Sequence, residues 1–201
     1  MSIKAVSPNG QWVFENGKLS SQEHVITPFA LDFFERWTFA KFLQDDQIAL
    51  AFETGQPWSE FGSYGDRYWG VQILTQAAQH NIWTLSAIEY DYRSFDESFI
   101  PKDIVWHPRG VLAWLDVDEL YFQVLKSPRL EVPRCEYPPQ DSETDLDYSY
   151  SISGNWDTLT LTPSGLYLIA GYETGNDIFD LKKQLRRRQN HEWEPFKGYL
   201  G

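Results

Sequence analysis

The chain has 201 residues, a net charge of −12 at pH 7 and an aromatic content of 16%. Disordered chains are poor in aromatic residues, a lone Cys135 excludes a disulfide scaffold, and no apolar run reaches the ~20 residues of a membrane span. The acidic balance also argues against nucleic-acid binding, because phosphate recognition depends on clustered Lys and Arg. Without a secretory signal, we expect one globular domain, residues 1–201, in the cytoplasm.

Turn-forming residues are frequent and apolar runs are short, which favours antiparallel β-structure over a helical bundle. One pattern occurs three times, at residues 6–14, 105–114 and 161–169: an apolar residue, then Pro-x-Gly, then aromatic and aliphatic residues. Proline fixes φ at about −65° at the first corner of a turn, and glycine accepts the positive φ that closes it. Each copy is therefore predicted to be a β-hairpin.

The three copies also suggest a repeat. Gly10, Gly110 and Gly165 lie 100 and 55 residues apart, so the period is about 50 residues if the segment 62–73 is a copy without its proline. These hairpins resemble WD40-like and TolB-like β-propeller repeats, although Trp156-Asp157 precedes the third Pro-x-Gly instead of closing a blade. The resemblance implies four-stranded blades, so we expect a mainly β fold of antiparallel sheets in a propeller-like or meander architecture.

Between the Pro-x-Gly copies, further strands are predicted at residues 36–43, 47–52, 82–90 and 119–125. Asp45 and Asp46 separate the first two as a turn. A rival interpretation makes Pro28 to Gln44 a helix, with Thr27 as its N-cap. Periodicity does not decide between the two, because apolar residues occur on all sides.

The final third of the chain contains two further predicted features. Residues 128–150 are rich in proline and acidic side chains and are predicted to form a long exposed loop. Residues near 177–189 are predicted to form a C-terminal amphipathic α-helix, because Ile178, Leu181 and Leu185 have helical spacing. The basic residues between 182 and 188 suit the C-terminal half of such a helix and are interpreted as its solvated face.

No motif for a nucleophilic, nucleotide-binding or metal-dependent enzyme is present, and we expect no cofactor and no metal. His107 is interpreted as a turn residue bonded to backbone, and residues 116–119 as a solvated turn between strands. The main alternative is a carbohydrate-binding or hydrolytic enzyme whose carboxylates lie among aromatic residues. Its candidate carboxylates are Glu53, Glu60, Asp66 and Asp91.

Surplus negative charge without a catalytic motif favours a non-enzymatic protein-binding protein. Its partner is expected to be a basic protein, as for an immunity protein or inhibitor that neutralises a toxin, and not nucleic acid or membrane. A second alternative is a scaffold subunit that uses the acidic segment 141–147 as its contact. The residues expected to bind the partner are the aromatic anchors and loop acids Trp58, Tyr64, Tyr68, Trp69, Asp141, Glu143, Asp145 and Asp147.

Overall fold

The computed structural model describes residues 3–28, 34–54, 67–77, 83–93, 100–125, 146–188 and 191–196, some strand residues by their backbone alone. In these ranges the regular structure consists of strands, and no helix is present. The mainly β prediction is therefore confirmed. The chain divides into two compact units, Met1–Ile100 with Arg129–Ser142, and Pro101–Pro128 with Glu143–Gly201, which we call unit 1 and unit 2. No helix in the described part of the chain is long and apolar enough to cross a membrane.

Unit 1 contains two four-stranded antiparallel sheets in which the strands follow sequence order. The first sheet consists of β1 (Lys4–Val6), β2 (Val13–Glu15), β3 (Lys18–Ser20) and β4 (Val25–Ile26). The second consists of β5 (Phe34–Gln44), β6 (Gln47–Thr54), β7 (Arg67–Gln76) and β8 (Trp83–Arg93). Each is a meander, since every strand pairs with the next one along the chain.

Strand alternation decides between the two interpretations of the segment around Trp37. β5 and β6 form a hairpin whose turn is Asp45–Asp46, so the strand prediction is confirmed and the rival helix is wrong over Phe34–Gln44. In β6, Ile48 and Leu50 point to one face, where they join the core that includes Phe14 of β2 and Trp12 just before that strand. The apolar residues of β5 lie on several sides because both faces of this sheet are covered.

Unit 2 contains one four-stranded and one five-stranded antiparallel sheet, again in sequence order. The first has β9 (Asp103–His107), β10 (Val111–Leu115), β11 (Glu119–Leu125) and β12 (Leu146–Ser153). The second has β13 (Thr158–Leu161), β14 (Tyr167–Tyr172), β15 (Gly175–Asp180), β16 (Leu185–Arg188) and β17 (Glu194–Pro195). The two sheets share one core, in which Phe122 of β11 contacts Phe179 of β15. β8 and β11 confirm the strands predicted at 82–90 and 119–125.

All three predicted Pro-x-Gly hairpins are present. They join β1 to β2, β9 to β10 and β13 to β14. Gly10, Gly110 and Gly165 have φ values of 71°, 89° and 68°, and each donates its N–H to the carbonyl three residues earlier. The two requirements read from the sequence, a proline corner and a glycine with positive φ, thus define these turns.

The predicted helix at 177–189 is wrong. Residues 177–188 form the larger part of β15, a turn and β16, and Gln184 in the turn has a positive φ of 56°. The helical spacing of Ile178, Leu181 and Leu185 is a pattern within one short segment. In the structure, alternate residues of β15 face the interior of unit 2, where Asp177 and Phe179 are buried. Tertiary burial therefore overrides the helical pattern.

The predicted loop at 128–150 lies mostly outside the described residues. β12 begins at Leu146, so the last five residues of that range are strand.

Candidate functional site

The structure describes only part of the predicted partner-binding set. Trp58, Tyr64, Asp141, Glu143 and Asp145 lie outside the described residues. Tyr68 and Asp147 are placed in β7 and β12 by their backbone alone. Trp69 is only 4% exposed, so its side chain lies in the protein interior.

One row of residues crosses the second sheet of unit 1. The register pairs Arg36 with Glu53, Glu53 with Trp69, and Trp69 with Asp91. Glu53 is 1% exposed, and its Oε2 accepts a hydrogen bond from Nε of Arg36 at 2.8 Å. A catalytic carboxylate must reach its substrate, whereas Glu53 is enclosed and paired with a cation. The structure therefore suits a role for Glu53 in linking β5 to β6 better than a catalytic role. Of the other candidate carboxylates, Glu60 and Asp66 lie outside the described residues.

A second group of polar residues lies at one end of unit 2. The β10–β11 turn closes when Asp116 donates its N–H to the carbonyl of Glu119 and accepts the Val117 N–H on Oδ1 at 2.8 Å. Because Asp116 is used inside the turn, Asp118 and Val117 form its tip, with Val117 71% exposed. The interpretation of residues 116–119 as a turn between strands is confirmed.

Backbone hydrogen bonds bring two other acidic segments to the same end. Gly154 donates to the Asp118 carbonyl at 2.9 Å, which places the β12–β13 connection beside the turn. Asp157 in that connection donates to the Gly171 carbonyl at 2.8 Å, next to the β14–β15 turn that carries Glu173. We call Asp118, Asp157 and Glu173, all exposed, together with Val117 the acidic end of unit 2.

The opposite end of unit 2 carries exposed cations. His107 in the β9–β10 hairpin has its Nε2 3.1 Å from the Pro163 carbonyl, which links this turn to the β13–β14 hairpin. Leu181 donates to the Leu166 carbonyl, which adds the β15–β16 turn to the group. These turns carry the exposed side chains Arg109, Lys182 and Lys183. The interpretation of His107 as a turn residue bonded to backbone is confirmed.

Much of the basic cluster at 182–188 is engaged with acids of unit 2. Arg186, nearly buried, donates from Nη2 to Oδ2 of Asp177 at 2.5 Å. Lys183 Nζ lies 3.9 Å from Asp180 Oδ2, and Arg188 Nε lies 3.7 Å from Glu194 Oε1. A cluster compensated in this way offers few free cations to a string of phosphates.

No family model matches the chain, and no curated protein matches it significantly. Among the described residues, no three His, Cys, Asp or Glu side chains are grouped so as to hold a metal ion. The acidic end was missed by sequence reasoning because its residues come from three separate turns. The one available signal was Asp116-Val117-Asp118, an exposed apolar residue between two carboxylates.

Proposed function

We propose that the protein is a non-enzymatic binding protein that docks onto a basic protein through the acidic end of unit 2. The observation that carries the proposal is the placement of the exposed Asp118, Asp157 and Glu173 at the same end of unit 2 as the exposed Val117. An exposed apolar side chain with carboxylates at the same end of the unit suits a partner surface that combines lysine and arginine with an apolar residue.

The charge of the whole chain supports this choice of partner. A net charge of −12 attracts cationic proteins and repels nucleic acid and anionic membranes. Attraction of this kind raises the association rate, while the buried contact around Val117 would slow dissociation. An inhibitor or immunity protein works in this way when its docked body covers the active surface of a basic enzyme or toxin.

The arrangement of the strands supports a binding role in a second, weaker way. Each of the two units contains two antiparallel meanders. Meanders of this kind present turns at their ends, and turns on a rigid scaffold are frequent binding elements. The turns at the ends of these sheets are therefore suited to binding a partner.

The test is capture of proteins from a lysate by the immobilised chain, with identification of what binds. We expect captured proteins to be basic, and capture to fall as salt rises from about 50 mM to about 500 mM, because screening shortens the Debye length below 10 Å. Asp118→Lys with Glu173→Lys should abolish capture.

The matched control is Glu23→Lys with Asp46→Lys, two exposed acids of unit 1. This variant changes the net charge by the same amount but leaves the acidic end intact, so it should retain most of the binding. Equal loss in both variants would show a nonspecific charge effect. Undiminished capture by the acidic-end variant, or capture of acidic proteins, would contradict the proposal.

A further inference from the structure

A glutamine side chain is enclosed in unit 1 without a hydrogen-bond partner among the residues that the structure describes. Gln72 lies near the middle of β7, where the register pairs it with Leu50 of β6 and Ile88 of β8. It is 0% exposed, and neither its Nε2 nor its Oε1 has a partner. Buried amide groups in folded proteins are almost always hydrogen-bonded, since each unmet group retains its full desolvation cost.

The neighbours of Gln72 do not provide the missing bonds. Leu50 across the strand pair and Leu74 two residues along β7 are buried and belong to the apolar core of unit 1. β7 pairs on both sides, so the backbone groups beside Gln72 are used by the sheet. On the other side along β7, Gly70 has no side chain to offer.

We propose that Gln72 binds an ordered water molecule inside unit 1. Water is the smallest guest with both a donor and an acceptor, and one molecule can accept from Nε2 and donate to Oε1 of the same amide. Elsewhere in the same sheet, Oγ1 of Thr38 and Nε1 of Trp83 are also buried without a hydrogen-bond partner among the described residues.

The experiment is NMR detection of bound water on the intact chain with labelled leucine methyl groups. An enclosed water gives a cross-peak to the methyl protons of Leu50 or Leu74 with the sign of a slowly tumbling molecule. We expect this cross-peak in the wild type and its loss in Gln72→Leu, with Gln72→Met as a second variant if the first does not fold.

Gln47→Leu is the matched control. Gln47 is also a buried glutamine of this sheet, but its Nε2 donates to Thr75 Oγ1 at 3.5 Å, so this change should leave the cross-peak in place. Absence of the cross-peak from the wild type would overturn the proposal. So would a higher urea midpoint in Gln72→Leu than in the wild type, because that gain is expected when the amide has no guest.

Discussion

Arg186→Met is the substitution whose effect on unit 2 follows most directly from the structure. The Arg186 side chain is 10% exposed and that of Asp177 is 5% exposed. Asp177 Oδ2 also accepts the indole N–H of Trp156 at 3.1 Å, and the guanidinium lies 5.3 Å from the Trp156 ring centre. Removing the cation would leave a buried carboxylate with an indole as its remaining partner among these contacts.

The expected loss is about 3–5 kcal/mol of unfolding free energy, the usual result when one member of a buried ion pair is deleted. The Coulomb attraction between two unit charges about 4 Å apart is ~4 kcal/mol at an effective dielectric constant of 20, a value within the expected loss. Asp177→Asn with Arg186→Met should cost less than the two single changes added together, because neither charge is then left alone.

Urea unfolding followed by tryptophan fluorescence measures these differences. The control is Arg188→Met, two residues along β16, where the ion pair with Glu194 is 3.7 Å long and both side chains are substantially exposed. We expect that change to cost no more than about 1 kcal/mol. If Arg186→Met costs no more than the control, the Asp177 pair does not stabilise unit 2 as argued.

Three further predictions concern buried positions. Gly165→Ala should lower the unfolding free energy by about 1–3 kcal/mol, since φ is +68° and the new Cβ would lie 2.5 Å from Nδ1 of His107. A thermal midpoint unchanged within error in calorimetry would refute this. Asp103→Asn should cost about 1–3 kcal/mol in urea unfolding, because the carboxylate accepts the Leu159 N–H at 2.7 Å and a second backbone N–H; an unchanged midpoint would count against it. Trp69→Ala should destabilise the fold by about 3–5 kcal/mol, and a folded, equally stable variant that had lost only binding would show that the tryptophan is a contact residue after all.

Features governed by neighbouring residues were predictable from the sequence. The Pro-x-Gly hairpins were found because proline and glycine set φ at their own positions. The strands around Asp45–Asp46 were found for a similar reason, although the segment's apolar residues also allowed a helix.

Features that depend on distant pairing were not predictable. Nothing local to Asp177 indicates that Arg186 and Trp156 will enclose it, and the local spacing of apolar residues favoured a helix instead. The glycine-rich segment before Trp69 suggested exposure, whereas β7 lies inside its sheet. Asp118 and Glu173 lie at the same end of unit 2 because of backbone hydrogen bonds between separate segments, which no single segment reveals.

Unit 2 carries the exposed Asp118, Asp157 and Glu173 at one end, together with the exposed Lys102 that donates from Nζ to the Trp156 carbonyl, and exposed Arg109, Lys182 and Lys183 at the other. Such a separation gives it an electric moment along the strand direction, in addition to the net charge of the chain. In the field of a cationic protein this moment exerts a torque that turns Asp118 and Glu173 forward before any contact is made. Fewer collisions would then arrive in the wrong orientation, so the two clusters of turns would shape the rate of recognition as well as its strength.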